Sequence, residues 1–172
     1  LDIIAIAMAE LGAISERRTY YFMKGVGDRI PPFLATKPGV ESGYMMAQVT
    51  ASTLASENKT LAHPASIDSL PTSGGQEDLV SMAPWAGLKL LQIQENVRQI
   101  LAIELLVASA ACTLFHDGLR PGKGTAPILE HIQGVVPFHK GDRVLSGEIN
   151  MLSDMIGTGE IVSLVKEAID LE

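Results

Sequence analysis

Three polar residues, Gln76, Glu77 and Asp78, follow the flexible pair Gly74 and Gly75 and stand just before a long apolar pattern that predicts a helix. Acidic side chains at this place have two uses. They can cap the positive amino-terminal end of the helix, or they can point into a cleft and bind or deprotonate a polar ligand. The spacing alone leaves both readings open. We assign the capping role to Asp78 and the site role to Glu77.

Glu104 is a second candidate, because its carboxylate stands among the apolar residues of the same predicted helix. An unpaired charge is costly in such a place, so the side chain needs either a ligand in a pocket or a permanent partner. Buried acids are usually paired for structural reasons, and Arg17 and Arg18 close another apolar helical pattern. We therefore predict a buried ion pair between Glu104 and one of these two arginines.

Met45 and Met46 follow Gly43 at the start of another helical pattern. Methionines at helical spacing usually fill a hydrophobic core, so their type alone favours packing over ligand binding.

A metal site is not indicated, because the four histidines are widely separated and no helix carries two of them at the i, i+4 spacing. The Gly-Lys-Gly at 122–124 follows a helix and lacks the P-loop pattern, so we expect a turn there.

The elements that position these residues are predicted to be helices, because apolar residues recur at three- and four-residue spacing through most of the chain. The most regular pattern covers 90–114, and a second stripe over 91–115, beginning with Leu91 and including Cys112, predicts a rod that is buried on two sides. A polar segment at 56–82 separates two helical patterns and is typical of a functional loop. The predicted helices span 1–21, 42–58, a stretch from about 81 to 115, 128–136, 149–156 and 161–171.

The composition favours an all-α protein, since 47% of the 172 residues are hydrophobic and only 5% are aromatic. We expect one unit over 1–172, without an internal domain boundary. A helical rod of about 30 residues needs neighbours on most sides, and this chain supplies few. The pattern also starts at Leu1 without a cap. We therefore expect an incomplete bundle that is part of a longer polypeptide.

Charge and cysteine content restrict the partners and the compartment. The net charge of -7 and the scattered lysines and arginines argue against nucleic acid. The single cysteine, Cys112, can form no disulfide within the chain, which favours a cytoplasmic protein. The apolar run at 100–115 is interrupted by Glu104 and is shorter than the roughly 20 residues that cross a bilayer. We therefore expect no membrane partner.

Several longer stretches resemble the aromatic amino acid ammonia-lyase family, in order and at the expected separations. They include Leu-Gly-Ala-Ile-Ser-Glu-Arg-Arg at 11–18, Ser-Gly-Tyr-Met-Met-Ala-Gln-Val-Thr at 42–50, His-Pro-Ala-Ser at 63–66, Gln-Glu-Asp-Leu-Val-Ser-Met at 76–82 and Glu-Asn-Val-Arg at 95–98. The resemblance implies an all-α, long-helix bundle of the ammonia-lyase and fumarase-aspartase type, with short carboxy-terminal helices. It also implies assembly as a homotetramer and non-oxidative removal of ammonia from an amino acid.

Two positions are similar to the branch of the family that converts L-histidine to trans-urocanate and ammonia. Glu77 stands where the phenylalanine and tyrosine enzymes usually carry Gln, and Met45 stands where the plant phenylalanine enzymes carry Lys. The resemblance implies that Glu77 is a catalytic and substrate-binding residue, and that Met45 and Gln76 also bind substrate. A carboxylate suits this substrate, because it can accept the imidazole N–H and favour the cationic ring.

The family chemistry uses the electrophilic prosthetic group 4-methylidene-imidazol-5-one (MIO), which forms from an internal Ala-Ser-Gly. This chain contains no Ala-Ser-Gly. The resemblance therefore implies a carboxy-terminal third that is inactive alone and needs the amino-terminal portion of the same enzyme as a partner.

Two departures from the family pattern leave alternatives open. Leu88 replaces a common Arg, and Gly74 and Gly75 replace a more usual Ala-Asn or Ala-Ala. The alternatives are a tyrosine or phenylalanine ammonia-lyase or 2,3-aminomutase of the same family, and a non-catalytic helical assembly subunit.

Overall fold

The computed structural model describes residues 1–115, 118 and 120–170, and within these residues all regular elements are helical. This confirms the predicted all-α class. Short 3₁₀ turns at Pro32–Leu34, Ala65–Ile67 and Ser73–Gly75 lie in the connections between the long helices. The six α-helices are α1 (Asp2–Met23), α2 (Met45–Leu61), α3 (Ala83–Leu114), α4 (Ala126–Val135), α5 (Ser146–Thr158) and α6 (Glu160–Ala168).

Most helix boundaries lie within a few residues of those predicted, because local signals set them. Pro84 stands in the first turn of α3, where it displaces no hydrogen bond. Gly159 adopts a left-handed conformation and separates α5 from α6. The predicted end of the last helix at Leu171 lies outside the described residues, and the described helix ends at Ala168.

Two predictions about the polar segment are wrong. The segment begins at Ala62 and not at residue 56, because α2 continues to Leu61. Asp78 does not cap α3, because four residues separate it from the first helical residue and the residue at the cap position is Met82. Met82 makes no side-chain capping hydrogen bond, and the backbone N–H of the first helical residue, Ala83, donates to the Ser81 hydroxyl at 3.3 Å. The polar triplet at 76–78 therefore lies in the loop and not on the helix.

Helices α1, α2 and α3 form the centre of the structure. Ser15 of α1 contacts Glu104 of α3, and Asp2 lies beside Lys89, so α1 and α3 run parallel. Gly12 permits close approach of these two helices, since a Cβ at this position would lie 3.2 Å from a methyl group of Val97. Helix α2 runs antiparallel to both, since Ser52 of α2 contacts Glu16 of α1 and the later residue Asn58 lies beside the earlier Gly12.

The hydrophobic core surrounds α3, because α1, α2 and α5 all pack against it. Ile93, Ile100 and Val107 of the predicted seam are fully buried, which confirms that face. The second predicted stripe is only partly buried: Leu91 is 65% exposed and Cys112 is exposed, whereas Leu105 packs half-buried against the core. The second buried side instead carries Ala102, Leu106 and Ser109. Each large aliphatic side chain in this core contributes on the order of 1.5–3 kcal/mol.

Helix α3 also has the length and apolar composition of a membrane span. About half of this apolar stretch (50%) is buried, and α1, α2 and α5 pack against the helix. The outer face of α1 differs, because no neighbour among the described residues covers its large apolar side chains. These exposed residues are Leu1, Ile3, Ile4, Ile6, Leu11, Ile14 and Tyr21. Contiguous apolar surface of this kind is typical of a contact site.

Candidate functional site

Glu77 closes a tight loop with Thr72. The two residues exchange backbone hydrogen bonds, at 2.9 Å from Thr72 N to the Glu77 carbonyl oxygen and 3.4 Å in the reverse direction. Gly74 and Gly75 both have positive φ angles of 68° and 91°, a conformation that glycine adopts without steric cost. The two glycines, which depart from the usual family sequence, therefore fit the shape of this loop.

The Glu77 carboxylate is held on one side only. Its Oε2 accepts hydrogen bonds from the Thr72 hydroxyl at 2.7 Å and from the Ser73 hydroxyl at 3.2 Å. Among the described residues, Oε1 accepts none, and the side chain is exposed. Gln76, which precedes it, is also exposed. The two hydroxyl groups thus orient the carboxylate and leave its Oε1 without a hydrogen bond from the described residues.

Buried polar contacts anchor the segment that carries Glu77. Lys89 is 5% exposed, and its ammonium group donates to the backbone carbonyl of His63. The Asp2 carboxylate accepts the Ser66 backbone N–H at 2.8 Å, and this hydrogen bond lowers the pKa of Asp2. Lys89 and Asp2 lie 3.9 Å apart. The start of the loop is therefore fixed to the beginnings of α1 and α3.

Lys89 was missed by the sequence analysis, although a signal was present. It stands three residues after Ala86 and four before Ile93, and both of these residues are buried. This helical spacing places the lysine on the buried face, where a charged group needs a partner.

Met45 lies far from Glu77 within one chain. It is the half-buried first residue of α2, whereas Glu77 lies in the segment that follows the last residue of that helix. A helix of 17 residues spans about 25 Å at roughly 1.5 Å per residue. The contacts of Lys89 and Asp2 hold the segment at the far end of α2. The structure therefore does not bring Met45 together with Gln76 and Glu77 in a single chain.

Glu104 forms the predicted ion pair, and its partner is Arg18, but the pair is not buried as predicted, because the Arg18 side chain is 57% exposed. Arg18 Nε lies 2.5 Å from Glu104 Oε1, and its Nη2 donates to Oε2 at 2.8 Å. The Ser15 hydroxyl also donates to Oε2 at 2.6 Å. The carboxylate has three donors, so the structure gives Glu104 a role in packing α1 against α3.

Glu16 is a further buried acid, which the sequence analysis did not single out. The residue is 4% exposed. Its carboxylate accepts hydrogen bonds from Arg17, from the Gln48 amide at 2.8 Å and from the Ser52 hydroxyl at 2.6 Å. Burial by itself raises the pKa of Glu16, but hydrogen bonds from these three donors outweigh it, so the pKa lies below the usual value. Glu16 thereby joins α1 to α2.

Within the described residues, no group of three His, Cys, Asp or Glu side chains lies close enough to hold a metal ion. His116 lies outside those residues. The residues of this chain also do not fit formation of the MIO group, because the chain has no Ala-Ser-Gly.

A family model described as aromatic amino acid lyase matches residues 1–134 of this chain. The chain belongs to this family. The match includes α1, α2, α3 and the loop with Glu77, so the family resemblance covers both the bundle and the candidate site.

Histidine ammonia-lyases are among the similar proteins. The enzyme of Idiomarina loihiensis is 47% identical over 168 residues, which cover 96% of this chain and 32% of that enzyme. The crystal structure of histidine ammonia-lyase from Trypanosoma cruzi matches with a TM-score of 0.89 and 38% identity, over 98% of this chain and 33% of that one. The chain spans about a third of the length of the curated relatives that it matches.

The fold is shared with another activity of the family. The structure of a tyrosine aminomutase from Streptomyces globisporus has a TM-score of 0.92 at 28% identity, over 99% of this chain and 33% of that one. The two TM-scores are so similar that backbone shape does not separate the lyase from the aminomutase. A distinction between them has to come from side chains.

Proposed function

We propose that this chain is part of a histidine ammonia-lyase-like enzyme that converts L-histidine to trans-urocanate and ammonia. The observation that carries the proposal is the exposed Glu77 carboxylate, which has one oxygen held by hydroxyl groups and the other open. Support comes from the 47% sequence identity with a histidine ammonia-lyase. Among the solved structures, the sequence identity is 38% with a histidine ammonia-lyase and 28% with a tyrosine aminomutase.

Glu77 acts on the side chain of the substrate in this proposal. Its open Oε1 accepts the imidazole N–H, while Thr72 and Ser73 hold Oε2. The negative charge favours the protonated ring and orients it. The overall reaction breaks the Cα–N bond and one Cβ–H bond of the substrate, forms the Cα–Cβ double bond and releases ammonia, without change of redox state. Gln76 lies beside Glu77 and takes part in substrate binding.

The proposed pocket forms between chains. Met45 and Glu77 lie at opposite ends of α2, so one pocket that contains both takes them from different subunits. A homotetramer provides such neighbours, and the exposed apolar face of α1 provides surface for the contacts. The amino-terminal portion of the enzyme supplies the remaining pocket groups and, by family resemblance, the MIO group, so this chain alone is inactive. The net charge and the single cysteine support a cytoplasmic enzyme without nucleic acid or membrane partners.

A chimera tests the proposal. The amino-terminal two thirds of the Idiomarina loihiensis enzyme are joined to this chain, and the intact I. loihiensis enzyme serves as the positive control. The purified chimera is supplied separately with L-histidine, L-tyrosine and L-phenylalanine, and the products are separated by chromatography. We expect urocanate from L-histidine. A folded chimera that releases only coumarate or cinnamate, or that forms a β-amino acid, would contradict the proposal.

The TM-score of 0.92 to a tyrosine aminomutase supports a second candidate, a tyrosine or phenylalanine lyase or 2,3-aminomutase of the same fold. The same chromatography distinguishes it, because a β-amino acid or an arylacrylate would be the product. A folded, oligomeric chimera without any product would instead favour a non-catalytic helical assembly subunit.

A further inference from the structure

The segment that precedes α2 is held by an acid almost one hundred residues away in the chain. Asp142 Oδ2 accepts the backbone N–H of Ser42 at 3.0 Å, and its Oδ1 accepts the backbone N–H of Gly43 at 2.7 Å. Both carboxylate oxygens therefore bind the two residues that come just before the cap residue of the helix, Tyr44. Hydrogen bonds to a charged acceptor are roughly twice as strong as neutral ones.

Arg143, the next residue, extends this contact to the helix itself. Its Nη1 donates to the Tyr44 hydroxyl at 3.1 Å, and its guanidinium group lies 5.6 Å from the centre of the Tyr44 ring. Arg143 is in turn held by Glu148 of α5 at 3.1 Å. Burial raises the pKa of Tyr44, so the hydroxyl remains protonated at neutral pH. The start of α2 is thus connected to α5 through side chains.

The other side of the same turn is held by Phe33. Its carbonyl oxygen accepts the Tyr44 backbone N–H at 2.9 Å. Phe33 and Leu34 both have φ angles in the left-handed region, 58° and 54°, which is costly for residues with side chains. A Cβ at Gly43 would lie 2.3 Å from the Phe33 oxygen, so this approach requires glycine. The backbone before Met45 is therefore fixed from two directions.

Core packing holds one side of this turn, through Tyr44 and Ala47. A cavity of about 550 Å³ lies between the start of α2 and the 142–150 segment, and Met46, Gln99 and Asn150 are among its lining residues. Where side chains do not fill the space, the polar contacts of Asp142 and Arg143 determine the position of the helix end. Met45 is the first residue of that helix, one position after Tyr44.

We infer that Asp142 is a positioning residue for the Met45 wall of the substrate pocket, with Arg143 as its support. The inference rests on the proposed function, because it assigns Met45 to the pocket. Asp142 itself touches backbone groups of its own chain and not the substrate. Loss of its charge should let the start of α2 move, and small displacements of pocket groups change binding strongly.

The test uses Asp142→Asn in the chimera, since Asn keeps the shape but can accept fewer hydrogen bonds and carries no charge. We expect the KM for L-histidine to rise about tenfold, with kcat within about twofold. In a Met45→Ala background, Asp142→Asn should raise KM less than about twofold, because residues that act through one another are not additive. Asp154→Asn, an exposed acid of α5, is the matched control and should leave both constants unchanged.

Hydrogen exchange measured by mass spectrometry provides a second readout on the same proteins. Asp142→Asn should speed exchange in the 36–47 peptide and leave the 84–100 peptide unchanged.

The inference is contradicted if KM is unchanged, or if the rise in KM is the same with and without Met45→Ala. If Asp142→Asn fails to fold, Tyr44→Phe, which removes only one hydroxyl, must raise KM in the same way. A parent chimera that does not convert L-histidine would contradict the proposed function, which distinguishes that failure from a failure of the positioning role.

Discussion

The middle of the bundle and the loop at 62–82 use carboxylates in opposite ways. Glu16 and Glu104 lie between helices, and they accept hydrogen bonds from three and two side chains respectively. Glu77 lies in the exposed loop, and hydroxyl groups hold only one of its oxygens. The difference separates acids that stabilise the fold from an acid that is available for chemistry. Each of the following changes tests this separation.

The largest effect on stability is expected for Glu16→Ala. The change removes the charged acceptor of the half-buried Gln48 and Ser52 donors, and hydrogen bonds to charged groups contribute about 1.5–3 kcal/mol each. We expect the chimera to lose about 3 kcal/mol of stability, measured as a lower urea midpoint by circular dichroism. Glu10→Ala, an exposed acid of the same helix, should change the midpoint little. Equal midpoints for the two variants would contradict the structural role of Glu16.

A smaller loss is expected for Asn96→Ala. Asn96 donates to Asn58 at 2.9 Å and to Glu57 at 2.7 Å, and Asn58 is fully buried. Removal leaves the Asn58 oxygen without this donor, at a cost of about 2 kcal/mol. The same urea titration measures it, with the exposed Gln94→Ala as the control. A midpoint like that of the control would show that this network does not stabilise the contact between α2 and α3.

The contribution of Glu16 should also depend on pH. Hydrogen bonds from Arg17, Ser52 and Gln48 outweigh the effect of burial and place its folded pKa below the unfolded value of 4.5. A depressed folded pKa means that the stabilisation is complete above pH 4.5 and is lost as the pH falls through the folded pKa. We expect the urea midpoint of the parent to fall more steeply below pH 4.5 than that of Glu16→Gln. Parallel curves would contradict this assignment.

The smallest effect on stability is expected for Thr72→Val in the exposed loop, within about 0.5 kcal/mol. The change removes the hydroxyl that donates to Glu77 Oε2 and should lower kcat/KM for L-histidine about fivefold. Thr72→Ser retains a hydroxyl and should restore most of the activity. A stability loss as large as that of Glu16→Ala would remove the distinction between the two regions.

The local features of this fold could be predicted from the sequence. Pro84 indicates the start of α3, and the apolar spacing from Ile93 to Val107 indicates its buried face. The pairing of Glu104 with an arginine was also predictable, because a charge on an apolar helix face needs a partner.

The remaining contacts depend on tertiary structure. Asp142 binds Ser42 and Gly43 across about one hundred residues, and no periodic pattern connects such positions. The prediction that Asp78 caps α3 was wrong for a related reason. An acidic residue before a helical pattern predicts a cap, and the sequence does not show whether a loop separates it from the helix. Glu77 was singled out by its position after a flexible loop, whereas Met45 was assigned to the pocket through the family resemblance alone, and both assignments stay predictions.

The activity of the chimera with Glu77→Ala and Glu77→Gln tests the central claim most directly. Urocanate release from L-histidine is followed by absorbance, with the urea midpoint measured on the same samples. We expect kcat/KM to fall about 100-fold or more in both variants, since neither retains the charge, while the midpoint stays within the error of the parent. Normal urocanate release from Glu77→Ala would contradict the assignment of this carboxylate to the substrate.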